Sequence, residues 1–270
     1  MERKVDAITL EVMRNALQSI AEEMGVTLIR TALSINIKDR RDCSTAIYTA
    51  NGDLVAQAEH IPLHLGLMPS IMKAVLKVYP KENLKEGDAI IINDPYLSGS
   101  HLPDVCIFTP VFWEDRLIAF AANLSHYSDI GGSVPGGFLV SATEIFQEGI
   151  RIPPTKIRKA GVLDEELINF ITHNVRTPSE WRGDMEAQLA ANNVAERRIK
   201  EFVAKYGVDH VVEYMEEIMN YSERRILAKI QEMPKGTFEF TDTLEVNFDN
   251  NIEKPTPIKR ATRRYARMLS

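Results

Sequence analysis

Residues 105–124 read Val105-Cys106-Ile107-Phe108-Thr109-Pro110-Val111-Phe112-Trp113-Glu114-Asp115-Arg116-Leu117-Ile118-Ala119-Phe120-Ala121-Ala122-Asn123-Leu124, two apolar runs around one polar pair. Runs of this length, rich in β-branched and aromatic residues and broken by a short polar turn, predict an antiparallel hairpin centred on Glu114-Asp115. That register sets position 104 almost opposite 125 and 126, with facing strands roughly 5 Å apart. Asp104 and His126 should therefore meet at the open end of the hairpin. Upstream, Ala89-Ile90-Ile91-Ile92 has the composition of a buried strand, and residues 93–104, dense in Gly, Pro, Ser and Asp, read as a long ordered loop. His101 lies in that loop three residues before Asp104, so a single turn brings it to the same point.

Two imidazoles and one carboxylate converging with positions left open suit divalent Fe, Mn or Zn chemistry, with water or substrate in the remaining sites. Asp129, three residues past His126, is a candidate fourth ligand, or an acceptor that fixes an imidazole tautomer. The competing reading is ordinary: histidines at strand ends are commonly surface hydrogen-bonding groups, and the chain has 6 of them.

The surrounding pattern predicts helices at both ends of a strand-rich middle. Ile8, Val12, Ala16, Ile20 and Met24 stripe one helix face as core or subunit contact. Asn51-Gly52 between Thr45–Ala50 and Leu54–Ala58 predicts a second hairpin, with a type I′ turn. Met68 to Tyr79 reads as a short amphipathic helix stopped by Pro80. Asp164 can cap a helix to about Asn174. Thr177-Pro178-Ser179-Glu180 looks like a capping box with proline at the first helical position, starting a long helix to Tyr206 before Gly207, with another from about Asp209 to Met233. Strands followed by helices, without βαβ alternation, argue for an α+β fold of mixed α/β layers.

Further candidates are individually weaker. His60 and His64 are four apart, as in a helical zinc pair, but Pro62 disfavours helix and no Glu follows His60. His64 is placed in the substrate pocket as a catalytic candidate, against two loop histidines making ordinary hydrogen bonds. Gly131 and Gly132, with Gly136 and Gly137, form a loop able to approach a substrate carbonyl or phosphate through backbone N–H groups, or simply a turn. Asp94 and Glu144 are candidate general bases, and Glu148 and Arg151 candidate anion-binding groups, each equally readable as an ion pair or cap. Asn174 and Arg176 precede the long helix, where a guanidinium can grip a carboxylate or pair between domains.

These residues together resemble the hydantoinase B/oxoprolinase family, the B-type subunits of ATP-dependent hydantoinases, 5-oxoprolinases and acetone and acetophenone carboxylases. The likeness lies in Arg40-Arg41-Asp42-Cys43-Ser44, Asn51-Gly52, Gln57-Ala58-Glu59-His60-Ile61-Pro62-Leu63-His64-Leu65-Gly66, and Asn93-Asp94-Pro95-Tyr96 through His101 and Asp104. It continues in His126-Tyr127-Ser128-Asp129-Ile130-Gly131-Gly132, Glu144-Ile145-Phe146-Gln147-Glu148-Gly149, Arg151-Ile152-Pro153-Pro154 and Asn174-Val175-Arg176-Thr177-Pro178. The resemblance implies that His101, Asp104 and His126 hold a catalytic divalent metal, manganese being the expected ion and zinc or iron the alternatives. It also implies a partner, an A-type subunit that uses ATP to phosphorylate the substrate, in a hetero-oligomer.

That division suits a chain with no G-x-x-x-x-G-K-[ST] loop, no G-x-G-x-x-G after a strand and no G-x-S-x-G elbow. The expected activity is cyclic amide hydrolysis on hydantoin, N-methylhydantoin or 5-oxoproline, with a ketone carboxylase subunit or a non-catalytic scaffold as alternatives.

A length of 270 residues, 44% hydrophobic and 26% charged, suffices for a real core, and a net charge of −6 gives no reason to expect nucleic acid or membrane as a partner. Cys43 and Cys106 support neither a disulfide framework nor a thiolate zinc cluster, so a reducing cytoplasm is the expected compartment. Met1 to Asp6 lacks the order of a secretory signal, and no stretch approaches the ~20 apolar residues of a membrane span. The resemblance covers residues 1–245, and family members continue into a second half. From 246 to 270 the composition turns basic, with Lys254, Lys259, Arg260, Arg263, Arg264 and Arg267 and no acid after Lys254. A truncated reading frame is expected there, with a tail binding RNA or an acidic partner as the alternative.

Overall fold

A computed structural model describes residues 6–58, 60–98, 101–234, 236, 238–244, 247–248, 251–252 and 256–262, the last strands by backbone course alone. Met1 to Val5 and most of the basic stretch after 252 therefore lie outside the described residues. In chain order the elements are α1 (Ala7–Thr31), α2 (Ile35–Lys38), β1 (Cys43–Thr49), β2 (Leu54–Gln57), α3 (Pro62–Val78), β3 (Ala89–Ile92), α4 (Pro95–Ser98), β4 (Asp104–Trp113) and β5 (Arg116–His126). There follow β6 (Thr155–Lys159), β7 (Val162–Leu163), α5 (Glu165–Thr172), α6 (Pro178–Tyr206), α7 (Val208–Glu232), β8 (Phe238–Leu244), β9 (Asn247–Phe248), β10 (Asn251–Ile252) and β11 (Thr256–Thr262). The fold is mixed α+β.

The hairpin of β4 and β5 turns at Glu114-Asp115, Glu114 taking a φ of 52°, and its register pairs Asp104 with His126. It is the centre of a seven-stranded sheet ordered β2-β1-β5-β4-β3-β6-β7, in which every neighbouring pair is antiparallel. Side chains alternate between two covered faces. Tyr48, Ile90, Phe108, Phe120 and Leu124 pack under Met68, Met72 and Val75 of α3. Ile47, Val111, Ala119 and Ala121 face α1 and α6, while Ile91, Val105 and Ile107 meet α5 and the start of α6. With helices on both sides, β4 is buried almost end to end, which explains why its sequence reads as a continuous apolar run.

Three polar side chains of this core, Gln188, Asn192 and Asn123, form a bonded group. On α6, Gln188 Nε2 donates to the Val105 carbonyl (2.9 Å), and Asn192 Nδ2 donates to the Ile107 carbonyl and Thr109 Oγ1 (3.1 Å each). Asn123 Nδ2 returns a bond to Asn192 Oδ1 at 2.8 Å. These fix the axial position of α6 on the sheet, since a slip would strand buried amides without partners.

Several expectations are corrected. The buried face of α1 is Met13, Leu17, Ile20, Met24 and Leu28, whereas Ile8 is 76% and Val12 48% exposed. A strict spacing of four advances about 40° per step beyond a full turn, so such a stripe spirals off any one face; mixed steps of three and four stay on it. Pro62 does not exclude helix: α3 begins there, since proline at the first helical position lacks only a donor that would be unbonded anyway. Pro69 inside α3 does remove a bond, and the burial of Met68, Ile71, Met72 and Val75 offsets it. At Asn51-Gly52 the hairpin forms, but Gly52 has φ +84° and Asn51 is not in the left-handed region. Gly52 N–H donates to the Thr49 carbonyl and Thr49 N–H to the Asp53 carbonyl, giving a three-residue loop closed by glycine in place of type I′. Thr177 precedes α6 without a side-chain cap bond, so the capping box is absent. β6 and β7 were not read from the sequence, and α4 interrupts the expected loop.

The compact units divide inside α7, at Met219 and Asn220. In the second unit β8 pairs antiparallel with β11, and β9 with β10.

Candidate metal centre

Even-numbered positions on β1, β4 and β5 point to the α3 face, where the apolar layer of Ala46, Tyr48, Cys106, Phe108 and Leu124 gives way at the strand ends to polar residues. Ser44, Asp104 and His126 continue the same alternation, and the N-terminal turn of α3 brings His64 over them. His101 arrives from the loop after α4: Asp104 N–H donates to the His101 carbonyl at 3.1 Å, closing the turn between them. Asn93 staples this loop in place. Its Nδ2 donates to the Leu102 (2.8 Å) and Ile150 (3.0 Å) carbonyls, and its Oδ1 accepts from Ile152 N–H at 2.6 Å.

His101, Asp104 and His126 each offer a ligand atom within 4.8 Å of the others. His126 Nδ1 lies 3.1 Å from Asp104 Oδ1 and 3.2 Å from His101 Nε2, and His101 Nδ1 lies 3.3 Å from Asp104 Oδ2. These contacts use both nitrogens of His101 and both oxygens of Asp104, whereas a shared cation takes one nitrogen from each ring, so the fit rests on the set of three ligand atoms within 4.8 Å of one another. The hydrogen bond to Asp104 outweighs burial and raises the pKa of His101. On the α3 side His64, 3% exposed, places Nε2 3.7 Å from Asp104 Oδ2 and 3.5 Å from Asp42 Oδ1, and Nδ1 shares a 3.3 Å bond with Ser44 Oγ. Burial, outweighing the two carboxylates, lowers the His64 pKa and favours the neutral ring. Above, Phe138 stacks on both imidazoles, with centroids 5.4 Å from His101 and 5.9 Å from His126.

His101 also lines an open cleft of about 460 Å³ with Pro95, Tyr96, Thr143, Glu144, Ile145 and Glu148. Of the candidates, His101, Asp104, His126 and His64 are brought together. His64 packs behind Asp104 instead of facing the cleft. Asp129 is elsewhere: its oxygens accept from Arg176 N–H (2.6 Å) and Arg176 NH1 (2.8 Å), while the same guanidinium donates to the Gly131 (3.3 Å) and Gly132 (2.6 Å) carbonyls. Gly131 and Gly132 thus form an anchored turn with φ +80° and +84°. Asp94 accepts from Tyr96 N–H at 3.1 Å and meets Arg151 Nε at 3.4 Å, and Glu144 forms a reciprocal cap with Gln147. His60 packs separately against Gly25 of α1, where a Cβ would lie 2.4 Å from its ring. Asp42, Ser44 and Phe138 were not assigned to the site, although Asp42 and Ser44 lie in a stretch that carries the family resemblance and on the period-2 continuation of β1 toward its start.

The family model for hydantoinase B/oxoprolinase matches residues 6–264. The chain belongs to that family. The match runs past residue 245 into the stretch whose composition had suggested a separate tail. The beta chain of the caprolactamase of Pseudomonas jessenii is 37% identical over 89% of this chain and 41% of its own length. A crystal structure of the ATP-dependent caprolactamase from that organism superposes with a TM-score of 0.86 at 34% identity, over 95% of this chain and 45% of the other. The B-type component of a putative D-/L-hydantoinase of Pseudomonas sp. (strain NS671) is 34% identical over 97% of this chain and 44% of its length. The acetone carboxylase structure shares the fold, with a TM-score of 0.82 at 22% identity over 90% of this chain and 32% of the other. The chain spans less than half the length of the curated relatives it matches. Among the described residues no helix is long and apolar enough to cross a membrane, and Cys43 and Cys106 are buried free thiols.

Proposed function

We propose that this chain is the B-type subunit of an ATP-dependent cyclic amide hydrolase acting through a divalent metal held by His101, Asp104 and His126, manganese being the expected ion. The observation that carries the reading is the convergence of those three ligand atoms beside an open cleft. Two imidazoles and a carboxylate leave coordination positions open, and an ion bound there would polarise an amide carbonyl or lower the pKa of a bound water. The remaining work falls to the chain's own side chains. His64 backs Asp104 and keeps the carboxylate aimed at the imidazoles, as an outer partner of a metal ligand does. Glu148 carries charge on the cleft wall near His101. Arg176, through Asp129, holds the glycine turn that leads to Phe138.

The identities of 37% and 34% to relatives named as caprolactamase and hydantoinase subunits favour amide hydrolysis over carboxylation, because the carboxylase likeness is one of fold. Their names also support an A-type partner subunit supplying ATP chemistry, which agrees with the lack of a phosphate-binding loop here. Co-expression with such a partner, followed by ATP turnover assays with hydantoin, 5-oxoproline, caprolactam and acetone in parallel, tests the reading. Turnover dependent on a cyclic amide and abolished by His126→Ala supports it; turnover with acetone alone, or with none of the four, refutes it.

A further inference from the structure

Phe138 is large, apolar and 67% exposed, yet its ring is stacked on His126 at an interplanar angle of 13° and tilted by 41° against His101. An exposed aromatic held this way has been left unburied by the core and spent on the site. The segment leading to it is positioned at two points. On the N-terminal side, Asp129 and Arg176 clamp Gly131 and Gly132. Immediately before Phe138, Gly137 has φ +70°, and a Cβ there would meet the Glu148 carbonyl at 3.0 Å and Pro103 at 3.3 Å. The chain is therefore pressed against Glu148 and Pro103 just where Phe138 departs. Other exposed apolar side chains sit nearby in sequence, with Val140 at 83% and Phe146 at 70%, and Tyr96, 72% exposed, lines the cleft itself. Exposed apolar surface around a polar pocket is the usual marking of a ligand groove.

We infer that Phe138, which packs on the cleft-lining His101, is the specificity-determining aromatic at the edge of this cleft: it covers the imidazole pair and presents a flat apolar wall on which a planar cyclic amide stacks. The inference rests on the proposed hydrolase reading and adds the residue that selects for ring shape. A planar amide ring offers a face that matches a phenyl ring in offset or tilted stacking, while a puckered or open-chain amide does not. The exposed position means that truncating the side chain removes little core.

The cover is tested without metal. Carbethoxylation of the metal-free chain, followed by mass spectrometry, should modify His101 and His126 roughly two- to tenfold faster in Phe138→Ala than in the parent, the range expected for losing one aromatic contact. His173, exposed on the surface, serves as an internal reference and should not change. Ring recognition is tested with the manganese-loaded full chain and hydantoin as probe, reading paramagnetic relaxation of its C5 protons. Phe138→Ala should weaken hydantoin binding roughly two- to tenfold and Phe138→Tyr should restore it. Unchanged carbethoxylation in Phe138→Ala overturns the cover. Faster carbethoxylation with equal hydantoin binding in parent and Phe138→Ala, or no hydantoin relaxation in the loaded parent, overturns the ring recognition. Failure of manganese to bind would fall on the hydrolase reading, and the metal-free arm still decides the cover.

Discussion

Replacing Asp129 by Asn separates an anchor from a ligand. Asp129 is 5% exposed and accepts from Arg176 N–H, Arg176 NH1 and, at 3.4 Å, Gly131 N–H. Asparagine keeps the volume but removes the charge and turns one acceptor into a donor facing the guanidinium. Bonds to charged groups contribute about 1.5–3 kcal/mol each, and two are weakened. The Arg176 side chain is 40% exposed, so solvent returns part of that loss, leaving a net destabilisation of about 2–3 kcal/mol. For a folding unit of this size that is a fall in Tm of about 4–12 °C. Thermal unfolding by circular dichroism reads the stability, and manganese titration by electron paramagnetic resonance on the same sample reads the site. Asp129→Asn should lower Tm while changing manganese affinity by less than about threefold, since Asp129 belongs to the glycine turn. An unaltered Tm together with lost manganese binding would show that Asp129 is a ligand and that the assignment to Arg176 is mistaken.

Other expectations follow from the same geometry. His64→Ala removes the side chain behind Asp104 and should weaken metal binding about 10- to 100-fold while leaving the fold cooperative, with His64→Gln intermediate; isothermal titration with manganese reads this. Asp88 is buried, which alone would raise its pKa, but Lys156 at 2.7 Å and the Ala160 and Lys85 N–H groups together lower it. A carboxylate pKa below its unfolded value, about 3.9, contributes stability above that pH and loses it as pH falls through the folded value. Urea midpoints measured between about pH 6 and 3 should therefore fall less steeply in Asp88→Asn than in the parent; equal slopes would remove the pair from the acid response. Gly132→Ala places a Cβ 2.6 Å from the Glu148 carbonyl carbon at φ +84°, and should cost about 2 kcal/mol or more in chemical denaturation.

What was legible in the sequence was local. The β4–β5 register could be read because Glu114-Asp115 interrupts two apolar runs, and a turn of three residues then sufficed to bring His101 to Asp104. What escaped depends on approaches between distant segments. His64 sits 40 positions before Asp104, and nothing in its neighbourhood says that α3 starts at Pro62 and lays its first turn over the sheet end. Proline was read as a breaker, although at the first helical position it is a favoured residue. Phe138 was not singled out, because its stacking on the imidazoles depends on a loop course set in part by Asp129 and Arg176, 47 positions apart. The interior amides Gln188 and Asn192 were equally invisible, because their partners are backbone carbonyls of strands about 80 residues away.

Metal content decides the matter most directly. The purified chain, stripped with chelator, reloaded with manganese and analysed by elemental analysis, should hold one equivalent per chain, with His101→Ala, Asp104→Ala and His126→Ala each falling to background while remaining folded. Retention of full occupancy in those variants, or none in the parent, would contradict it.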